Sequence, residues 1–227
     1  MRSTVADVMT PNPVSVQRTT PFKMLVALLD EHRISALPVV DEGAIPLGIV
    51  SQADLLLKET YTDVVPIVEF RRHRAERHKA EGLVAEDVMT SPVVTVHSGA
   101  SLQAAAHRMI DGHVKRLVVV DADGRLSGIV TRSDLLHVFL RPDPDIRRDI
   151  LEEVIVRTLW MDAGSIDVDV QAGLVTLGGT VDRLSDIAII SRLVRGVEGV
   201  VGVAETLAFR FDDVKGMSAG WPAESLR

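Results

Sequence analysis

No cysteine occurs among the 227 residues, which removes disulfides, thiol nucleophiles and cysteine-ligated zinc at once. Aromatic residues make up only 4% of the chain, too few for the stacking platforms that hold single-stranded nucleic acid. Positive charge is not in excess either: 25 Lys and Arg stand against 32 Asp and Glu, a formal charge of −7, so nucleic acid is not an expected partner. No run of about 18 consecutive apolar residues is present, so no transmembrane helix is expected. The opening Met1-Arg2-Ser3-Thr4-Val5-Ala6-Asp7 lacks the apolar stretch of a signal peptide. These absences lead to the expectation of a cytoplasmic protein. Also missing are the P-loop, the H-E-x-x-H helix and the G-x-S-x-G elbow. His73 and His78 are five apart, off the i, i+4 spacing of helical zinc pairs, so no metal site is expected.

What the chain does contain is a long internal repeat. Gly48-Ile49-Val50-Ser51-Gln52-Ala53-Asp54-Leu55-Leu56 returns 80 residues later as Gly128-Ile129-Val130-Thr131-Arg132-Ser133-Asp134-Leu135-Leu136. The same offset carries Asp7-Val8-Met9-Thr10 onto Asp87-Val88-Met89-Thr90, and Leu37, Val39, Val40 and Asp41 onto Leu117, Val119, Val120 and Asp121. Three blocks in one register indicate two copies of one folding unit; a period this long with two copies is not a solenoid.

Each copy reads strand, helix, strand, strand, helix. In the first, Val14–Val16 is a short strand and 21–32 a helix with Phe22, Leu25, Leu28 and Leu29 at helical spacing. Apolar runs at Ala36–Val40 and Leu47–Val50 follow, joined by the turn Asp41-Glu42-Gly43, and a second helix opens at Ser51. The second copy predicts strands at Val94–Val96, Leu117–Val120 and Ile129-Val130, a helix over 101–111 and a turn at Asp123-Gly124. The strands are continuous apolar runs, the pattern of a sheet covered on both faces. Between the copies, Phe70–Gly82 is basic and helical in composition, most simply a solvated helix. The two prolines of Arg141-Pro142-Asp143-Pro144-Asp145 mark a boundary.

The last third predicts helix, strand, strand, helix, strand. A helix over 145–161 carries Ile146, Ile150, Val154 and Leu159 on one side. Ile166–Val170 alternates strictly, with Asp167 and Asp169 outward; Ala172-Gly173 turns and Leu174–Leu177 returns. A helix over 183–195 precedes a strand from Val200 to Phe211, and the segment from Asp212 reads as loose.

Both copies keep a hydroxyl residue three positions before an aspartate at a helix start. One reading is a capping-box-like N-terminus, with the acid favourable in the first turn. The other is ligand binding: a helix start presents free N–H groups to phosphate, and a carboxylate there can accept both hydroxyls of a ribose. The two readings are compatible.

The tandem D-V-M-T … L-P-V-V-D … G-I-V-S-x-x-D-L-L pattern over about residues 4–138 resembles a pair of cystathionine-β-synthase-type (CBS) domains, the Bateman module. The resemblance implies an adenosine nucleotide (AMP, ADP or ATP, with S-adenosylmethionine or NAD as further candidates) bound in clefts between the copies, and no required cofactor. It implies Asp54 and Asp134 as ribose binders, Ser51 and Thr131 as their hydroxyl neighbours, and the loops at Thr10–Val14 and Thr90–Val94 as adenine contacts. Lys115 and Arg116 stand where members such as the gamma subunit of the AMP-activated kinase carry phosphate-contacting basic residues; copy one has Ser35 and Ala36 there. With Arg132, and with Ser133 in place of Ala53, they predict a tighter site on copy two.

Gly173–Val181 followed by Gly199-Val200-Val201-Gly202-Val203 resembles a BON domain over about 144–211. Membrane or ligand attachment has been proposed for such domains, and the fusion suggests a bacterial regulatory protein. The expected fold is therefore α/β, of the α+β kind: two tandem CBS β-α-β-β-α units packed as a pseudo-twofold pair, then a small α-β-β-α-β BON domain. The boundaries are 1–60 and 84–141 for the CBS motifs, 61–83 for a basic helical linker, 142–211 for BON and 212–227 for a flexible tail. The expected function is a non-enzymatic sensor that binds an adenosine nucleotide and dimerises through its CBS pairs. The alternative is an adaptor in which the pair is a dimerisation scaffold and BON meets phospholipid or a partner protein.

Overall fold

A computed structural model describes residues 3–60 and 82–214. The chain divides into two compact units, one ending at Leu135 and one beginning at Leu136. The predicted linker, 61–83, lies outside the described residues except for Gly82 and Leu83, which are not helical, and the expected tail, 212–227, lies outside them beyond Val214.

In the first unit both copies have the expected order, each preceded by a short helix. Copy one runs α1 (Val5–Val8), β1 (Thr10–Pro11), β2 (Val16–Gln17), α2 (Phe22–Glu31), β3 (Ala36–Val40), β4 (Pro46–Ser51) and α3 (Gln52–Thr60). Copy two runs α4 (Ala85–Val88), β5 (Thr95–His97), α5 (Leu102–Asp111), β6 (Arg116–Val120), β7 (Leu126–Thr131) and α6 (Arg132–Leu136), then a 3-10 turn over His137–Leu140. β2 lies parallel to β3, and β3 antiparallel to β4; β5, β6 and β7 repeat the arrangement. All five residues of β3 are buried, as a strand covered on both faces requires.

The repeat extends to backbone conformation. His113 stands at φ +51° where Arg33 does, and Gly124 at +78° where Ala44 stands at +64°. Copy one thus turns at Ala44, one residue beyond the predicted Asp41-Glu42-Gly43.

Each copy's opening segment packs on the other copy, which the linear repeat does not reveal. Val5 of α1 is fully buried in the core of copy two, with Val96, Met109, Leu117 and Val130. Ala85 and Val88 of α4 lie in the core of copy one, with Leu25, Leu37 and Val50. β1 pairs with β7, Thr10 opposite Ile129 and Pro11 opposite Gly128; reciprocally, Thr90 bridges to Ile49. The glycine of each G-I-V run is required by this exchange. A Cβ on Gly48 would lie 2.5 Å from Met89 Sδ and 3.0 Å from the Thr90 carbonyl oxygen; one on Gly128 would meet Met9 Sδ and lie 3.0 Å from the Thr10 oxygen.

The second unit begins with α7 (Asp143–Asp149), which continues to Thr158 in wider π geometry. The apolar spacing explains the widening: Ile150 and Val154 are four apart, but Leu159 is five further on, and its N–H donates to the Val154 carbonyl. β8 (Ile166–Gln171) and β9 (Leu174–Arg183) form the predicted hairpin, with Ala172 (φ +50°) and Gly173 (φ +76°) in the turn. Two left-handed residues make the type I′ turn that matches strand twist. The Asp143 carboxylate accepts both turn N–H groups, at 2.7 and 2.9 Å. After α8 (Leu184–Val194), the single strand expected over 200–211 is two: β10 (Gly202–Glu205) and β11 (Ala208–Phe211). Both run parallel to β9, on either side of Gly178-Gly179. Gly179, at φ +111°, bends β9 where no side-chain-bearing residue easily could, and the partner strand breaks at the bend.

Candidate functional site

Ser51 is the last residue of β4 and the N-cap of α3, and Thr131 the last of β7 and the N-cap of α6. The Ser51 N–H and hydroxyl both donate to Asp54 Oδ2, at 2.9 and 2.6 Å. Those of Thr131 donate to Asp134 Oδ2, at 2.7 and 2.8 Å. The capping reading is met at both positions, and these bonds engage one of the two carboxylate oxygens of each aspartate. Capping alone does not distinguish these sites, because Thr4 makes the same two bonds to Asp7 Oδ2 at the start of α1. These two bonds, the backbone one foremost, hold the Asp7 carboxyl below its ordinary value.

The second oxygens differ. Asp54 Oδ1 accepts from Thr90 Oγ1 at 3.1 Å, a contact supplied by the exchanged segment of copy two. Asp134 Oδ1 accepts no hydrogen bond from the described residues. Its counterpart threonine, Thr10, is exposed on the strand beside Ile129.

The basic residues fall elsewhere than the repeat suggests. Arg116 leaves β6 opposite Thr131, yet its Nη1 donates to Ser35 Oγ of copy one at 3.1 Å. Burial lowers the pKa of its guanidinium and the charge of Asp54 opposes that shift; an arginine stays protonated regardless. Arg132 Nη2 donates to the Val114 carbonyl at 3.1 Å and so ties a helix start to a strand start. Gln52 does the same in copy one, toward the Ile34 carbonyl at 3.4 Å. Lys115 and Ser133 are exposed. Of the basic residues expected beside Asp134, Arg116 thus donates to a hydroxyl of copy one and Arg132 to the backbone of its own copy. Sequence reasoning missed Ser35, which carries no signal in the repeat because it meets a residue 81 positions away. No group of three or more His, Asp or Glu poised for a metal occurs among the described residues, and no helix there is long and apolar enough to cross a membrane.

Two β-α-β-β-α units that exchange their opening segments and set one capped aspartate in each half define a tandem α/β pair. The CBS-domain family profile matches residues 5–59 and 84–141, and the BON-domain profile matches 142–210. The chain belongs to the tandem CBS-domain proteins and carries a BON domain C-terminal to the pair. It is similar to the chloroplastic CBS domain-containing protein CBSX2 of Arabidopsis thaliana, 33% identical over 152 residues that cover 61% of this chain and 64% of that protein. It is also similar to a protein of Methanopyrus kandleri, 30% identical over 132 residues that cover 58% of each. The match therefore spans less than two thirds of these relatives' length. The crystal structure of CBSX2 in complex with AMP shares the fold, with a TM-score of 0.54 and 35% identity over 60% of this chain and 96% of that one. So does the CBS domain pair of protein MJ0100, with a TM-score of 0.50 and 23% identity over 61% and 97%.

Proposed function

We propose that this protein is a non-enzymatic regulatory protein whose CBS pair binds an adenosine nucleotide of the AMP type, Asp54 and Asp134 each accepting ribose hydroxyls. The observation that carries the reading is the build of the two aspartates. Each is held rigidly by its own N-cap residue, and Asp54 is further met by Thr90 and the charge of Arg116 from the other repeat. A pre-oriented carboxylate beside a guanidinium suits a ligand with vicinal hydroxyls and a phosphate. The AMP complex of the similar CBSX2 supports the same ligand class. In this reading Ser51, Thr131, Thr10 and Thr90 line the ligand, and ADP, ATP, NAD and S-adenosylmethionine are the competitors to compare.

Thermal denaturation with this nucleotide panel tests the reading. AMP at a hundredfold excess over Kd should stabilise the protein by about 2.7 kcal/mol. No shift with any member of the panel rejects it. The bound state is transmitted by differential affinity for two arrangements of the pair or of its dimer. Exposed apolar side chains on its helices, Met24, Leu56 and Ile110 among them, support self-association as a homodimer, which light scattering would measure. The adaptor reading has less support on its lipid side. Over 142–210 the BON domain carries 7 arginines, no lysine and 12 acidic residues, a balance unsuited to anionic phospholipid.

A further inference from the structure

The D-V-M-T block brings a methionine to the same place in both repeats. Met9 and Met89 cap the C-termini of α1 and α4, their N–H groups donating to the Val5 and Ala85 carbonyls, each at 2.9 Å. Both side chains are half-buried against the core of the other copy, Met9 on copy two and Met89 on copy one. Each thioether lies over a bare strand glycine, Met89 Sδ over Gly48 and Met9 Sδ over Gly128. The next residue in each case holds the exchanged backbone. Thr90 and Ile49 exchange two hydrogen bonds, at 2.8 and 3.1 Å, and Thr10 pairs with Ile129. The other described methionines are placed differently. Met24 is 54% exposed on α2, Met109 is sealed in the core at 2%, and Met161 packs on the BON core.

A thioether suits that position because it is apolar, flexible and slim enough to lie on bare backbone. In a chain without cysteine it is also the main side chain open to peroxide. Sulfoxidation adds a strongly polar oxygen that only accepts hydrogen bonds. Apart from the thioether itself, the nearest atom to the space over each glycine is a backbone carbonyl oxygen, that of Thr90 or Thr10, 3.0 Å from the Cβ position. Two acceptors form no bond and repel, so the new oxygen must turn toward water. That movement draws the side chain off the glycine and away from the other copy's core. Half-burial sets the consequence. Peroxide reaches Met24 with little structural effect and is kept from Met109, whereas Met9 and Met89 are accessible and hold the joint between the repeats.

We propose that Met9 and Met89 form a paired oxidation site through which peroxide loosens the two exchanged segments. A sulfur lone pair attacks one peroxide oxygen, the O–O bond breaks, the S–O bond forms, and the other oxygen leaves with both hydrogens as water. Sulfur is oxidised to the sulfoxide and the peroxide is reduced; a methionine sulfoxide reductase reverses the change. The proposal goes beyond the adenosine reading and does not depend on it, since what responds is the joint between the repeats.

Treating the full chain with hydrogen peroxide tests it, with peptide mass mapping to locate sulfoxides, thermal denaturation and amide hydrogen exchange. Sulfoxide at Met9 and Met89 should lower the melting midpoint of the CBS pair by about 4 °C or more. It should also speed exchange at the Ile49 and Thr90 amides by about tenfold or more, and methionine sulfoxide reductase should restore both. The double variant Met9→Leu, Met89→Leu, of similar side-chain volume and inert to peroxide, should lose the response, while Met24→Leu should keep it in full. Three results would overturn the proposal: no modification of Met9 and Met89 when Met24 is modified, sulfoxides there with midpoint and exchange unchanged, or an undiminished response in the double variant. If the double variant does not fold, the reductase and Met24→Leu decide the matter. A response that the reductase does not reverse, or that Met24→Leu abolishes, overturns it as well.

Discussion

Ser191 retains only 3% of its surface exposed, and its Oγ finds no partner among the described residues. Leaving a hydroxyl buried and unpaired costs about 1–3 kcal/mol. Ser191→Ala is therefore expected to stabilise the BON domain by about 1 kcal/mol, read as a higher urea midpoint at unchanged slope. Asp213 shows the opposite balance. Its carboxylate accepts the hydroxyl and the N–H of Ser185, at 2.6 and 3.1 Å, and these bonds hold its pKa below the ordinary value. A depressed folded-state pKa means stability that is complete above the unfolded carboxylate range and is lost as pH falls through the folded value. Melting temperature measured from neutral pH downward should thus fall less steeply in Asp213→Asn than in wild type; parallel curves would remove Asp213 from the acid response. The two capping aspartates, Asp54 and Asp134, were legible as residue types at a spacing. Their capping bonds followed from that spacing, since a hydroxyl three residues before an acid at a helix start is a local affair. The partners that separate Asp54 from Asp134 were not legible, because Thr90 and Arg116 come from distant chain.

Strands β4 and β7 illustrate how a local rule and a distant contact meet at one residue. Glycine at 48 and 128 looks like a weakness in a strand, but the methionine of the exchanged segment occupies the space a Cβ would need. Gly128→Ala should destabilise by about 1–3 kcal/mol through overpacking, since the backbone oxygen of Thr10 can yield less than Met9 Sδ. Denaturant unfolding checks this, and a neutral result would show that β1 lifts off freely. Elsewhere in the CBS pair the longer helices and the central strands were predicted, because apolar periodicity dictates them, although β7 begins at Leu126 rather than Ile129 and the short α1, β1 and α4 were not foreseen. The break between β10 and β11 escaped that logic. Valine and phenylalanine continue on both sides of Thr206-Leu207, and the cause lies in the partner strand, at Gly179.

Across the full CBS pair, the exchange means that neither copy owns a complete core. Copy two lacks Val5 without the first residues of the chain, and copy one lacks Ala85 and Val88 without the start of the second repeat. Segments 3–60 and 84–135 expressed separately should each fail to show cooperative unfolding by circular dichroism, whereas 3–135 should unfold as one transition. Independent cooperative melting of either half would contradict the shared core. The same exchange makes the surroundings of Asp54 joint property: Thr90 reaches it only because α4 docks on the first copy.

The duplication, its strands and helices, the hydroxyl–aspartate caps and the change of architecture after Arg141 are all determined along the chain. Each depends on residues within a turn or two of one another, or on a repeat that alignment exposes. Which copy each opening segment joins, and that Arg116 reaches Ser35 of the other copy, depend on contacts between residues tens of positions apart. Sequence spacing carries no information about such contacts, and packing alone settled them, because only the folded pair brings Ser35 to Arg116 and Thr90 to Asp54.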